Sequence, residues 1–346
     1  MPAIAIGEEL MRQHPDTELL FVGTTVGMDR EIYSKTGFRF ELLEARGIRG
    51  HSLVERARAV FDFVGAVRQA SRVVSGFAPA LVVGVGGYAS AAASAAAVLR
   101  RIPLVLVEQN TRPGLANSLL SRFAKKICVP FDESKHFFKN DKVIVTGTPL
   151  RFKAVPNGVP HPSEPLQILV LGGSSGAHRL NVGVVQAFKN LGKNVIKYAI
   201  VHQTGPHDED LVRGGYAETG LEAKVTPFID QMAEAYGRAD LIIARAGGNT
   251  VSEIALAGRP AILVPYPFHP DRQQEHNARV LENLGAAILM HDDDHLADNL
   301  TRELSALRRD RDRLRSMGEK AKIAARPDAA SAIARTCLDL ASGAAA

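Results

Sequence analysis

Residues 245–277 read RAGGNTVSEIALAGRPAILVPYPFHPDRQQEHN. The four residues before them, LIIA (241–244), are apolar and β-type. Gly247-Gly248 then turns the chain. The helical spacing of Val251, Ile254, Ala255 and Gly258 predicts a helix from near Thr250, ended by Pro260. AILVP (261–265) predicts a second buried strand, and a further helix is expected from near Asp271. Two strand ends and two helix starts therefore turn polar groups to one side. In an open α/β sheet, ligands bind on that side, beyond the carboxyl ends of the strands. The polar groups there are Asn249, Thr250, Ser252, Glu253, Asp271, Gln273, Gln274 and Asn277. Amides at a helix N-terminus favour an anion. Glu253, in the first turn, suits the vicinal hydroxyls of a ribose. Paired glutamines with an asparagine suit the hydroxyls and amide of a sugar ring. The cluster predicts a nucleotide-sugar pocket, with ordinary helix capping as the competing reading for any one of these residues.

The same alternation of strand, glycine turn and helix runs outward from this stretch. ALVVGVGGYASAAASAAAVLRRIP (80–103) is one such unit, with Gly86-Gly87-Tyr88 at its turn. PLVLVEQN (103–110) is a strand ending in Glu108-Gln109-Asn110, and residues 116–126 read as a helix. KICVPF and KVIVTGTP read as short strands. RFKAVPNGVPHPSEP (151–165) has four prolines and no periodicity, which marks a linker. QILVLGGSSGAHRLN (167–181) then opens a second set of units, followed by the strand of VIKYAIVHQTG and that of AKVTPFID. Residues 327–346 hold a final amphipathic helix. The expected architecture is two Rossmann-like doubly wound domains with a cleft between them. Residues 1–150 form one, 151–165 the linker and 166–326 the other, with the last helix packing back toward the first.

The chain has 346 residues, enough for two domains. A net charge of +5 permits contact with phosphates or an anionic membrane but requires neither. Nothing in the charge pattern points to nucleic acid. Two cysteines, Cys128 and Cys337, stand far apart with no metal-ligand spacing, so both are read as buried or incidental thiols. No apolar run reaches the ~18 residues of a spanning helix. Residues 53–74 read as a helix with Val60, Phe61, Phe63, Val64 and Val67, studded with Arg56, Arg58, Arg68 and Arg72. Most of its apolar residues are expected to face a core; an apolar edge rimmed with arginine also suits anionic lipid.

LGGSSGAHRLN (171–181) is the second anchor of the ligand reading. Gly172 and Gly173 allow close backbone approach, Ser174 offers a hydroxyl, and the helix start offers amides for a diphosphate. Its spacing matches neither the dinucleotide fingerprint nor the P-loop. Asp292-Asp293-Asp294 precedes a helix and is read as capping and solvation; no protein-bound catalytic metal and no cofactor is expected. His202, at a strand end, is either a ligand contact or a satisfied loop histidine, and the same choice stands for His178 and His269.

Taken in order, VGVGGYAS, EQN, TGTPLR, LVLGGSSGAHRLN, HQTG, FIDQMAEAYGRADLIIARAGG, TVSEIALAGRPAILVPYP and DRQQEHNA resemble the MurG family over nearly the whole chain. These are peptidoglycan N-acetylglucosaminyltransferases of GT-B fold. The resemblance implies an inverting transfer of N-acetylglucosamine from UDP-N-acetylglucosamine to the muramyl 4-hydroxyl of lipid I, giving lipid II at the cytoplasmic membrane face. It implies three kinds of partner: the undecaprenyl-linked acceptor, an anionic membrane surface and cell-wall synthesis proteins. It places Ile229 at the uracil through its backbone, beside Phe228, and Glu253 at the ribose. Arg151, Ser174 and the amides near Gly248, Asn249 and Thr250 fall to the diphosphate, with Val251 and Ser252 among the donor-binding residues. Gln273 and Gln274 would read the sugar, with Asn110 reaching it from the first domain. Gly86, Gly87, Tyr88, Glu108 and Gln109 would lie on the acceptor side. Two departures stand at Gly248-Asn249, where the family often has Ala-Leu, and at FHPD before Arg272. Rival readings are another GT-B UDP-sugar enzyme, such as a lipid glycosyltransferase or a 2-epimerase, and a UDP-sugar-binding protein without turnover.

The family opens with a strand and a GGTGGH-type loop whose histidine is a candidate base, and Pro2 matches a proline a few residues later. The expectation is therefore of a truncated or misassigned start, with the catalytic base unassigned. The strand around 19–22 should then stand apart from the strand around 81–85.

Overall fold

The computed structural model describes residues 2–26, 29–44, 53–138, 141–156, 164–173, 176–269 and 271–343, the side chains of 53–59 excepted. They fall into two compact units. One comprises Met1–Gln109, Pro113–Arg151 and Asp328–Ala346; the other comprises Asn110–Arg112 and Phe152–Pro327. The short crossing 110–112 thus groups with the second unit.

The first unit runs α1 (Pro2–Gln13), β1 (Leu20–Thr24), α2 (Asp29–Ser34), β2 (Arg39–Leu43), α3 (Leu53–Phe77), β3 (Val82–Gly84), α4 (Tyr88–Leu99), β4 (Leu104–Val107), α5 (Leu115–Leu120), β5 (Lys126–Val129) and β6 (Val143–Val145). The second runs β7 (Leu166–Leu171), α6 (His178–Asn190), β8 (Tyr198–Gln203), α7 (Glu209–Ala217), β9 (Glu222–Thr226), α8 (Met232–Arg238), β10 (Leu241–Ala244), α9 (Gly248–Ala257), β11 (Ala261–Leu263), α10 (Gln273–Asn283), β12 (Ala287–Leu289), α11 (Leu296–Arg309) and α12 (Arg311–Ala321). The last helix, α13 (Ala329–Ala341), returns to the first unit.

The second unit holds one parallel sheet in the order β12-β11-β10-β7-β8-β9. Parallel strands covered on both faces read as unbroken apolar runs. LIIA of β10 and AIL of β11 are such runs, and every residue in them is buried. Leu180, Val184 and Phe188 of α6 pack on one face with Tyr198 and Ile200 of β8. The strand order reverses between β7 and β10: from β7 the chain winds out to β9, then returns to β10 on the other side. The loops leaving β7 and β10 therefore diverge and open a crevice at the carboxyl end of the sheet.

The helix after β10 differs in detail from its sequence reading. It begins at Gly248, and it ends at Gly258 in the left-handed region (φ 62°), two residues before Pro260. A residue at φ > 0 stops the helix without the side-chain clash any other residue would meet. The next helix begins at Gln273, not near Asp271, and α5 spans only Leu115–Leu120.

The first unit carries two parallel sheets, β1-β2 and β3-β4-β5-β6. No ladder joins β1 to β3 among the described residues, and a cavity of about 190 Å3 lies between them. Ile6, Leu10, Phe21, Val22, Val83 and Ala93 help to line it. α13 packs on α1: Ile6 and Leu10 meet Ile333, Ala334 and Cys337, and Gln13 Nε2 donates to Ser331 Oγ at 3.1 Å. Burying an Ile or Leu side chain contributes about 1.5–3 kcal/mol, so this contact holds both helices against the sheet. Cys128 and Cys337 are buried and free, and burial pushes the Cys128 thiol up to about 12. Thiols held protonated in this way are poor nucleophiles. No helix among the described residues is long and apolar enough to cross a membrane.

Candidate functional site

The predicted polar cluster lies at the carboxyl ends of β10 and β11. Gly247 caps α9, and Val251 N–H already donates to Gly247 O at 3.0 Å. The amides of Gly248, Asn249 and Thr250 are the first-turn donors with no carbonyl four residues back inside the helix. The Val251 side chain is fully buried in the core. The Val251 side chain thus offers a ligand no polar atom, and its N–H is held by Gly247. The Asn249 Oδ1 is buried without a partner. Ser252 and Glu253 are buried, and Tyr236 Oη donates to Glu253 Oε2 at 3.0 Å. Tyr236, in the middle of α8, is itself fully buried, so it fixes the carboxylate from beneath.

Beside α8 a groove of about 440 Å3 is lined by Leu169, Val201, Thr226, Phe228, Ile229 and Gln231. Phe228 is exposed and Ile229 half-buried at its rim, on the loop between β9 and α8. An apolar floor with backbone at the rim can hold a flat heteroaromatic ring.

α10 brings the glutamines to the same end of the sheet. Gln274 Oε1 accepts from Tyr266 N at 2.9 Å, which fixes the orientation of its side-chain amide. Asn277 behaves otherwise than its sequence reading. It is fully buried; its Oδ1 accepts from Thr111 N at 2.7 Å, and its Nδ2 donates to Asn110 Oδ1 at 3.1 Å and Ala246 O at 3.0 Å. Arg112 Nη1 adds a bond to Asp271 O at 3.2 Å. Asn277 is thus a brace for the 110–112 crossing and no reader of a sugar. It sets Asn110 beside α10, the helix that carries Gln273 and Gln274. Ser174 lies outside the described residues; Gly172 and Gly173, before it, leave β7 at the switch in strand order. Arg151 is exposed at the end of the 113–151 segment.

In the first unit, Gly86 and Gly87 have φ of 87° and 84°, which only glycine adopts readily. Gly86 N–H donates to Ser90 Oγ at 3.1 Å, and Gln109 Nε2 donates to Val85 O at 2.5 Å. Gly86, Gly87, Tyr88 and Gln109 therefore gather at the carboxyl ends of β3 and β4. The Tyr88 hydroxyl is buried without a partner, and burial raises its pKa. The buried Glu108 carboxylate accepts from Gln109 N (2.9 Å), Gly114 N (3.1 Å) and Asn117 Nδ2 (2.9 Å), so it braces the loop before α5.

The histidines resolve differently. His202 is fully buried, its ring between Tyr216 Oη (2.8 Å) and Asn181 Oδ1 (3.1 Å), and burial pushes its pKa down to about 3. It is a satisfied core histidine. His178 sits 2.9 Å from Asp208 Oδ1, and His269 is exposed. The three aspartates also divide. Asp293 caps His295 N and Asp294 is 99 % exposed, but the Asp292 side chain is 1 % exposed between two arginines. The sequence reading missed Tyr236 and the Asp292 pair, because nothing in local spacing connects residues 17 or 47 positions apart.

Residues 1–129 match the glycosyltransferase family 28 N-terminal domain, and residues 167–333 match its C-terminal domain. The chain is 37% identical over 343 residues to the UDP-N-acetylglucosamine–N-acetylmuramyl-(pentapeptide) pyrophosphoryl-undecaprenol N-acetylglucosamine transferase of Myxococcus xanthus, covering 98% of this chain and 89% of that one. The protein of that name from Geobacter sulfurreducens is 39% identical over 337 residues, 96% of this chain and 93% of its own. The crystal structure of Acinetobacter baumannii MurG is similar at a TM-score of 0.78 with 31% identity, covering 98% of this chain and 95% of that one. A UDP-GlcNAc 2-epimerase from Neisseria meningitidis shares the fold at a TM-score of 0.67 and 14% identity, covering 97% and 96%. With both family 28 domains in order and this identity over nearly its full length, the chain belongs to the MurG family of GT-B glycosyltransferases.

Proposed function

We propose that the chain transfers N-acetylglucosamine from UDP-N-acetylglucosamine to undecaprenyl-pyrophosphoryl-N-acetylmuramyl-pentapeptide. The observation that carries the donor assignment is the first turn of α9 at the switch in strand order. There, first-turn amides, an unpartnered Asn249 Oδ1 and the buried Glu253, fixed by Tyr236, stand within the first two turns of one helix. The uracil goes to the rim at Ile229, the ribose to Glu253, the diphosphate to the α9 amides, and the sugar to Gln273, Gln274 and Asn110. Arg151 and Ser174 join the diphosphate on the resemblance alone. Gly86, Gly87, Tyr88 and Gln109 are assigned to the acceptor.

The muramyl 4-hydroxyl oxygen attacks C1 of the donor sugar on the face opposite UDP. The C1–oxygen bond to the β-phosphate breaks, its electron pair leaves with UDP, and the hydroxyl proton passes to a base. The configuration at C1 inverts. Charge gathers on the β-phosphate as the bond breaks, and the α9 N-terminus is aimed to stabilise it.

A membrane-facing role for the first unit follows from its apolar surface. Val60, Phe61 and Val64 of α3 are exposed, as are Leu115 and Leu119 of α5 and Phe123 after it, with Arg122 and Lys125 adjacent. Phe61 is 77 % exposed. Apolar side chains rimmed with cations suit an anionic lipid surface, where the acceptor's undecaprenyl chain resides.

Glu253→Ala tests the donor assignment. Charge-assisted hydrogen bonds from a ribose are worth ~1.5–3 kcal/mol, so UDP affinity should fall roughly tenfold or more by calorimetry. Unchanged affinity in a folded variant overturns it. Product formed from donor alone, without acceptor, would instead identify an epimerase.

A further inference from the structure

Four loops leave the carboxyl ends of four neighbouring strands, β12, β11, β10 and β7, and one carboxylate stands where they meet. Asp292 lies on the loop after β12. Its Oδ2 accepts from Arg245 Nη2 at 2.6 Å and its Oδ1 from Arg179 Nε at 2.8 Å. The Asp292 and Arg245 side chains are 1 % and 10 % exposed. Arg245 is the first residue after β10, two positions before the cap of α9. Its Nη1 donates to Val264 O at 3.0 Å and Pro265 O at 3.3 Å, the residues that follow β11. Arg179 is the second residue of α6, the helix entered from the glycine loop after β7. The Arg245 guanidinium also lies 5.9 Å from the centre of the Tyr266 ring, and Tyr266 N holds the Gln274 Oε1. One carboxylate thus reaches the start of α9, the start of α6 and the side chain of Gln274.

We propose that Asp292 is a positioning residue for the sugar-diphosphate half of the donor. It touches no donor atom itself. It holds Arg245, and through Arg245 the α9 cap and the Tyr266–Gln274 contact, so that the diphosphate amides and the sugar-reading amide stand at a fixed separation. The proposal rests on the donor site assigned above. A buried ion pair is costly to desolvate and adds little stability over an apolar filling, so geometry is the better account of its presence. Removing only one partner leaves a buried charge, which loosens every loop that charge had held. The uracil rim at Ile229 lies on the loop after β9 and Tyr236 on α8, elements that Asp292 does not reach.

The test compares Asp292→Asn and Asp292→Glu with the parent enzyme, using UDP-N-acetylglucosamine and the undecaprenyl-linked acceptor. Thermal unfolding with and without UDP selects the folded variants. The expected result for Asp292→Asn is a rise of roughly tenfold in KM for UDP-N-acetylglucosamine, with kcat within about threefold, and a smaller fall in UDP affinity, because UDP shares the diphosphate amides of α9 but lacks the sugar that Gln274 reads. Asp292→Glu, which restores the charge, should recover most of the KM. A folded Asp292→Asn enzyme with unchanged KM overturns the proposal. So does an equal loss of affinity for UDP and UDP-N-acetylglucosamine, which marks a general loosening of the unit. A parent enzyme that binds no UDP-N-acetylglucosamine overturns the donor reading and this proposal together; an active parent with an unaffected Asp292→Asn overturns only the latter.

Discussion

His202 shows how much a single side chain owes to its surroundings. On β8 it alternates onto the face covered by α6 and α7, where Asn181 and Tyr216 meet both ring nitrogens. Burial disfavours the imidazolium by more than the nearby Asp208 carboxylate favours it, so the pKa falls from its ordinary value to about 3. The unfolded chain takes up that proton below about pH 6.5, and the folded one only near pH 3. Between these values the unfolded state binds more protons, so stability falls as pH falls through that window. From about pH 7 to about pH 5 this group alone should cost the second unit roughly 2 kcal/mol. Urea unfolding at both pH values checks it. His202→Gln should lose less of its stability on acidification than the parent does, and an identical loss in both sinks the account.

At the scale of elements, α9 is bounded by two unlike ends. Its N-terminus opens at the strand crossover, where amides are left for a ligand. Its C-terminus closes at Gly258 with φ 62°, and a Cβ added there would meet Lys322 Cε at 2.5 Å. Lys322 Cγ would also lie 2.8 Å away, so the lysine must shift as a whole, and this adds to the cost of the backbone conformation. A non-glycine residue in the left-handed region costs about 1–2 kcal/mol. Gly258→Ala should therefore lower the unfolding midpoint of the second unit by a few degrees while UDP affinity, measured by calorimetry, stays within about twofold. A fall in affinity beyond the loss of stability would show that the two helix ends are coupled.

On the scale of the whole molecule, the chain carries a net charge of +5, and its first unit exposes apolar side chains on α3 and α5. If Phe61 inserts into lipid, its transfer is worth about 1.5–3 kcal/mol, and Phe61→Ser should weaken vesicle binding roughly tenfold. Binding to anionic vesicles should exceed binding to neutral ones and should decline as salt rises from about 0.05 to about 0.5 M, because exposed charges are then screened. Sedimentation with equal binding to both vesicle types counts against this surface.

The sequence by itself determined the parallel α/β class, because strands buried on both faces must be continuously apolar and the turns between them carry glycine. It also located the stretch 245–277, because helix starts and strand ends are set by neighbours a few residues away. Tertiary structure alone decided which side chains, in that stretch and beyond it, are already spoken for. Asn277 goes to the 110–112 crossing, Val251 to the core, Asp292 to Arg245 and Arg179, and Glu108 to Gly114 and Asn117. Three of these four lie in site-like positions by spacing, yet buried polar groups must find partners wherever the fold supplies them. Those partners arrive from strands and helices far along the chain, as Tyr236 does for Glu253. The role of a buried polar residue is fixed by that distant pairing, which local periodicity does not encode.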